Sequence, residues 1–161
     1  MEKVISLNAS KEHYHARATI LWCFDDRLHE EGLEKLRKRF ELLSYEGKNP
    51  FLRTLLLFKP FLRKNKFDNI VVAGAVKSLA SPNHENEKEF ILDQIRASIV
   101  LHKSPEIVLT VHDECGAYRD LHLSKEGYLG ELQKAEQIVR QEFPKQKITK
   151  LFVDFDGIHF V

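Results

Sequence analysis

Cysteine is nearly absent: the chain holds two, Cys23 and Cys115, in 161 residues. So few exclude a disulfide framework, although one pair is possible on count alone. In an intracellular chain of this size, thiols serve metal binding or catalysis more often than cross-linking. Also missing is any apolar run of about 18 residues, so no membrane span is expected. The opening stretch "MEKVISLNAS" has no basic region leading into a long apolar one. A signal peptide is therefore not expected, and the cytoplasm is the expected compartment. Neither sign of charge is in excess, with 25 Lys and Arg against 24 Asp and Glu. That balance removes the global electrostatic case for nucleic acid or acidic lipid as a partner. No internal repeat, low-complexity tract or dividing linker is visible.

What is present suits one soluble globular unit, with 43% hydrophobic and 30% charged residues. "ATILWCF" at 18–24 reads as a buried strand, and "EKVISL" near the start as a possible short one. Over 28–46, Leu33, Leu36, Phe40 and Leu43 recur at spacings of three and four, which predicts a one-sided helix ended by "GKNP". "NIVVAGAVKSL" at 69–79 begins as a β-branched run and reads as a second strand. A helix follows over roughly 85–102, with Phe90, Ile91, Ile95, Ile99 and Val100 on its apolar side. "EIVLTVH" at 106–112 is a third strand, 123–143 another helix broken or started around Gly127 to Gly130, and 147–155 a fourth strand. "DG" at 156–157 predicts a turn, with "IHFV" pairing back as a hairpin. Strands alternating with helices predict an α/β three-layer sandwich. Its central sheet is mainly parallel, with four to five strands and helices on both faces.

In such a sheet, sites form where the carboxyl ends of the strands meet the following loops. "TILWCFDDRL" places Cys23 at the end of the first strand, with Asp25 and Arg27 at alternate positions after it. If the extended geometry continues, all three point to one side. The third strand ends on His112, and Cys115 lies three positions on in the turn, where Gly116 allows a tight bend. Two thiolates and an imidazole are donors that zinc prefers, and three protein ligands with an open fourth position are the pattern of a catalytic zinc site. No third cysteine exists to close the site. The fourth place falls to water, to a carboxylate such as Asp25, or to a distant histidine. The plain alternative is two buried cysteines and a surface ion pair of little worth.

These residues carry a resemblance. "CFDDR" fits C-x-D-x-R and "HDECGA" fits H-x-x-C-G-A, each after a buried strand and in this order; with "VVAGAV" between them, the chain resembles the β-class carbonic anhydrases. The departures are Asp26 where the family usually has Ser, and Val71, Val72 and Ala75 where it usually has polar residues. A helical insertion at about 29–67 also lengthens the stretch between the motifs of an otherwise single domain, 1–161. The resemblance implies Zn²⁺ held by Cys23, His112 and Cys115. It implies reversible hydration of carbon dioxide to bicarbonate by a zinc-bound hydroxide. Asp25 would orient that hydroxide or, swung onto the zinc, switch the enzyme off, and Arg27 would orient Asp25. It also implies a homodimer.

Two other readings compete. One is hydrolysis of a related small molecule, carbon disulfide or carbonyl sulfide. The other is a non-catalytic zinc-binding or interaction protein on the same fold. The segment at 51–67 mixes five Lys or Arg with four Phe. Packing against the inserted helix or within a dimer interface is the reading favoured for it over a membrane surface.

Overall fold

A computed structural model of the chain describes residues 13–43 and 66–161. Its centre is a five-stranded sheet in the order β2-β1-β3-β4-β5. The strands are β1 (Ala16–Cys23), β2 (Lys66–Val72), β3 (Glu106–His112), β4 (Lys147–Val153) and β5 (Ile158–Phe160). The first four are parallel, and β5 turns back antiparallel on β4, with Val153 opposite Ile158. The expected mainly parallel α/β sheet is therefore present, with the hairpin at its end.

β1 and β3 are buried along nearly their whole length, and rich in apolar residues, because both of their faces are covered. On one face Leu21, Cys23, Ile107, Leu109 and Val111 pack with three helices: the short α2 (Lys77–Ala80), α3 (Glu85–His102) and α4 (Lys125–Glu142). On the other face Ala18, Ile20, Trp22, Val108 and Leu151 pack on Leu33 and Leu36 of α1 (Asp26–Leu43). Gly32 lets α1 lie close, since a Cβ there would meet the Trp22 ring at 2.7 Å. No helix among the described residues is long and apolar enough to cross a membrane.

Several boundaries differ from the sequence reading. The second strand starts at Lys66 and stops at Val72; the chain then bends at Gly74 (φ 70°) and Ala75 (φ 48°) before α2, so 73–79 is not strand. The buried stripe of α3 is Ile91, Leu92, Ile95 and Ser98, whereas Phe90 and Val100 are exposed. They sit on the flanks of the stripe, a rotation that apolar identity alone does not fix. α4 runs unbroken through Gly127 and Gly130 because Ser124 caps it, its Oγ accepting from the Gly127 N–H. The expectations for "EKVISL" and for the segment at 51–65 fall on residues outside the described ones, as does most of the proposed insertion beyond α1.

Candidate metal centre

The strand order creates the site. From β1 the chain moves to β2 on one side, then crosses back to β3 on the other. The carboxyl ends of β1 and β3 thus flank the point where the sheet's order reverses, where an open crevice forms. Cys23 is the last residue of β1 and His112 the last of β3. Cys115 follows in the loop before a 3₁₀ turn, Gly116–Leu121. All three side chains are buried, and their donor atoms lie within 4.8 Å of one another. The two sulfurs are 4.0 Å apart. Two thiolates on one tetrahedral zinc would sit about 3.8 Å apart, given Zn–S bonds of about 2.3 Å.

The surroundings prepare each donor. Gly74 N–H donates to the Cys23 sulfur at 3.3 Å, and the Asp25 N–H also points at it. The Cys115 thiol donates to the same sulfur, and this outweighs burial; with the His112 ring and the two N–H groups added, the Cys23 pKa falls to about 4. Cys115, donating its proton, is pushed up by that partnership and by burial. The pair is one thiolate and one thiol sharing a buried site. A divalent cation would replace the shared proton. Burial works against the His112 imidazolium, yet the Cys23 sulfur and the Asp113 carbonyl together lift its pKa above the usual range. His112 Nδ1 lies 2.8 Å from the Asp113 carbonyl, so Nδ1–H donates there and Nε2 carries the free lone pair. That Nε2 is buried without a hydrogen-bond partner among the described residues. A buried ring nitrogen with no hydrogen-bond partner among the described residues, beside one thiolate and one thiol, is a donor set that a zinc ion fits.

Asp25 and Arg27 stand at the rim. The chain leaves the strand at Phe24 and enters α1 at Asp26, so the three residues do not line one extended face as first expected. Arg27 instead folds back: Nε donates to Asp25 Oδ1 at 3.0 Å and Nη2 to Oδ2 at 2.7 Å. This fork holds the Asp25 carboxyl down at about 2. Asp25 Oδ2 lies 4.0 Å from His112 Nε2. Glu114 grips Arg27 from behind: its carbonyl accepts from Nη2 at 3.3 Å and its carboxylate lies 3.7 Å from Nη1. Glu114 also carries the positive φ of this loop, 50°, a role expected of Gly116. Sequence reasoning had no signal for Glu114 beyond its place between two ligand-type residues. Nor does "VVAGAV" by itself show that the Gly74 N–H reaches a sulfur.

Above the donors opens a cleft of about 600 Å³, walled by Phe24, Ala73, Gly74, Gly116 and Ala117, with Asp25 and Asp26 on its edge. The wall is small and apolar.

A mainly parallel α/β sheet with a buried Cys-His-Cys cluster at its reversal point defines the class. A family model described as "Putative carbonic anhydrase" matches residues 57–159, and the chain belongs to that family. Cys23, Asp25 and Arg27 precede the matched span, and His112 and Cys115 lie inside it. The fold is that of the β-carbonic anhydrases. The carbonic anhydrase of Streptococcus mutans superposes with a TM-score of 0.55 at 14% identity, covering 92% of this chain and 83% of that one. The β-carbonic anhydrase isoform I of Trichomonas vaginalis gives 0.55 at 14%, covering 96% and 87%. A carbon disulfide hydrolase in its apo form gives 0.53 at 13%, covering 91% and 79%. In sequence, two uncharacterized proteins, from Rickettsia bellii and Rickettsia conorii, are each 25% identical over 98% of this chain and over 90% and 80% of their own lengths.

Proposed function

We propose that the protein hydrates carbon dioxide reversibly to bicarbonate, with Zn²⁺ held by Cys23, His112 and Cys115. The observation that carries this is the unpartnered His112 Nε2 aimed at a buried thiol pair, beside a carboxylate fixed by an arginine fork. Zinc, when bound, lowers the pKa of its water to about 7 and so makes hydroxide available at neutral pH.

The chain's own residues do the rest. The Asp25 carboxylate accepts a hydrogen bond from the nucleophilic oxygen and so turns that oxygen's lone pair toward the substrate carbon. Arg27 keeps the carboxylate ionised and in place. The apolar cleft admits a small linear molecule and offers bulk water few partners. Gly74 and Asp25 N–H groups support the Cys23 thiolate, and the Asp113 carbonyl fixes the His112 tautomer.

The test is CO₂ hydration by zinc-loaded protein, with elemental analysis beside it. One zinc per chain and turnover at neutral pH are expected. A pure preparation that neither contains nor takes up zinc would remove the basis of the reading. The apolar wall of Phe24, Ala73 and Ala117 also suits carbon disulfide or carbonyl sulfide as substrate. Sulfide release from either, with no CO₂ hydration, would move the assignment to that chemistry. Zinc bound with neither activity would leave a non-catalytic zinc protein.

A further inference from the structure

The turn between β4 and β5 does more than reverse the chain. Asp154 Oδ1 accepts from the Asp156 N–H at 3.0 Å, the Gly157 N–H at 2.9 Å and His159 Nε2 at 3.0 Å. The Asp154 N–H donates to the Gly157 carbonyl at 3.0 Å. The start of this turn is tied to the candidate centre, because the Val153 carbonyl accepts from the Asp113 N–H at 2.9 Å. So stiff a turn fixes where Phe155 stands. Phe155 is 58% exposed, beside the rim where Arg27 folds back. Its ring centroid lies 5.4 Å from the guanidinium carbon of Arg27. A pocket of about 110 Å³ lies between this turn and the first turns of α1.

We propose that Phe155 is a positioning residue: its ring covers one face of the Arg27 guanidinium and so holds the fork on Asp25. Three contacts then fix Arg27, each from a different part of the chain. Asp25 takes the fork, Glu114 takes the remaining N–H edge, and Phe155 takes the face. The charge-assisted bonds to Asp25 lie in the guanidinium plane, so a ring on the face leaves them free while shielding them from water. The aspartate turn, through Asp154 and His159, keeps the ring there. In its catalytic consequence this inference rests on the carbon dioxide reading; the contact itself does not.

The test uses full-length, zinc-loaded protein and two readouts. The first is kcat/KM for CO₂ hydration. The second is solvent exchange of the Arg27 Nε–H by ¹⁵N NMR, which needs no activity. Phe155→Ala is expected to lower kcat/KM about two- to fivefold, the worth of an exposed cation–π contact. It should keep its zinc and speed Nε–H exchange by a similar factor. Phe155→Trp should restore both, and Phe155→Leu neither. In an Arg27→Ala background Phe155→Ala should cost nothing further. The proposal falls if Leu serves as well as Trp, if exchange is unmoved by Phe155→Ala, or if the loss persists without Arg27. An inactive wild type overturns the carbon dioxide reading alone, since the exchange measurement still decides the role of Phe155.

Discussion

Asp25 stands at the rim of the proposed metal site as a carboxylate held by Arg27. Both its oxygens are engaged by Arg27, and its pKa of about 2 keeps it ionised from mild acid upward. Activity should therefore appear at neutral pH without a rise in pH to free the site. An enzyme silent at pH 7 and active at pH 9 would mean that Asp25 leaves Arg27 for the zinc. Asp25→Asn should keep zinc and lose at least about tenfold in kcat, because the amide cannot accept the hydrogen bond and pair with Arg27 together. Adding Arg27→Ala should cost little more, since residues acting as one unit are strongly non-additive. Wild-type turnover in Asp25→Asn would make Asp25 a bystander. Gly74 is the second informative residue. A Cβ there would meet Ala117 at 2.8 Å and Lys77 at 2.9 Å, and φ is +70°. Gly74→Ala must shift the loop that donates to Cys23, and zinc affinity should fall about 10- to 100-fold, the usual cost of losing a partner of a ligand. Competition with a chelator of known affinity measures it.

Among the elements, β2 and α3 are locked by a polar chain at the end of the sheet away from the cleft. Asp68 of β2 accepts from Tyr14 Oη at 2.6 Å and from Ser98 Oγ at 2.5 Å, and lies 2.8 Å from His102 Nδ1. Ser98 Oγ in turn lies 2.7 Å from Thr19 of β1. Burial works against the Asp68 charge, but Ser98, Tyr14 and His102 outweigh it, and the carboxyl titrates below its usual range. A carboxyl with a depressed native pKa stabilises the fold above its unfolded value, about 3.9, and that stability is lost as pH falls through the native value. Asp68→Asn should thus be less stable by about 2–3 kcal/mol at pH 6, and the gap should begin to shrink only near about pH 4 and vanish below the native value. Urea unfolding across that range checks this, and a gap independent of pH would point to packing instead. This lock shows what the sequence hid. β1, β3 and α4 were legible because their apolar patterns are dictated by burial of whole faces. So was the clustering of Cys23, His112 and Cys115, because the ends of two adjacent strands bring them together. Asp68, Ser98 and His102 carry no such pattern, because their meaning lies in contacts between distant segments. The same holds for Phe155 and Glu114, whose roles come from where Arg27 folds, not from their neighbours in the chain.

On the scale of the whole molecule, charge sets little in the way of self-association, since the formal net charge is +1. The proposed homodimer rests on the family resemblance and on the apolar character of 51–67. Light scattering at micromolar protein should give twice the chain mass, and a monomer would count against the dimer. The proposed metal has the wider reach. Its three proposed ligands come from β1, β3 and the loop after β3, and β1 and β3 are the adjacent strands on which both core faces are built. A cation that ties their ends stabilises the folded chain by mass action, by about 4 kcal/mol at a thousandfold excess over Kd. Without it, the site returns to a buried thiolate, a thiol and an imidazole whose Nε2 has no hydrogen-bond partner among the described residues. Each kcal/mol is worth about 2–4 °C in a chain of this size. Stripping zinc with a chelator at neutral pH should therefore lower Tm by about 10 °C. Zinc should restore it and magnesium should not, because magnesium favours oxygen donors over thiolates. Cys23→Ser and Cys115→Ser should start from the stripped Tm and gain nothing from added zinc. A stripped protein with an unchanged Tm would mean that the cluster does not join the two strands, and the metal would then have to sit elsewhere.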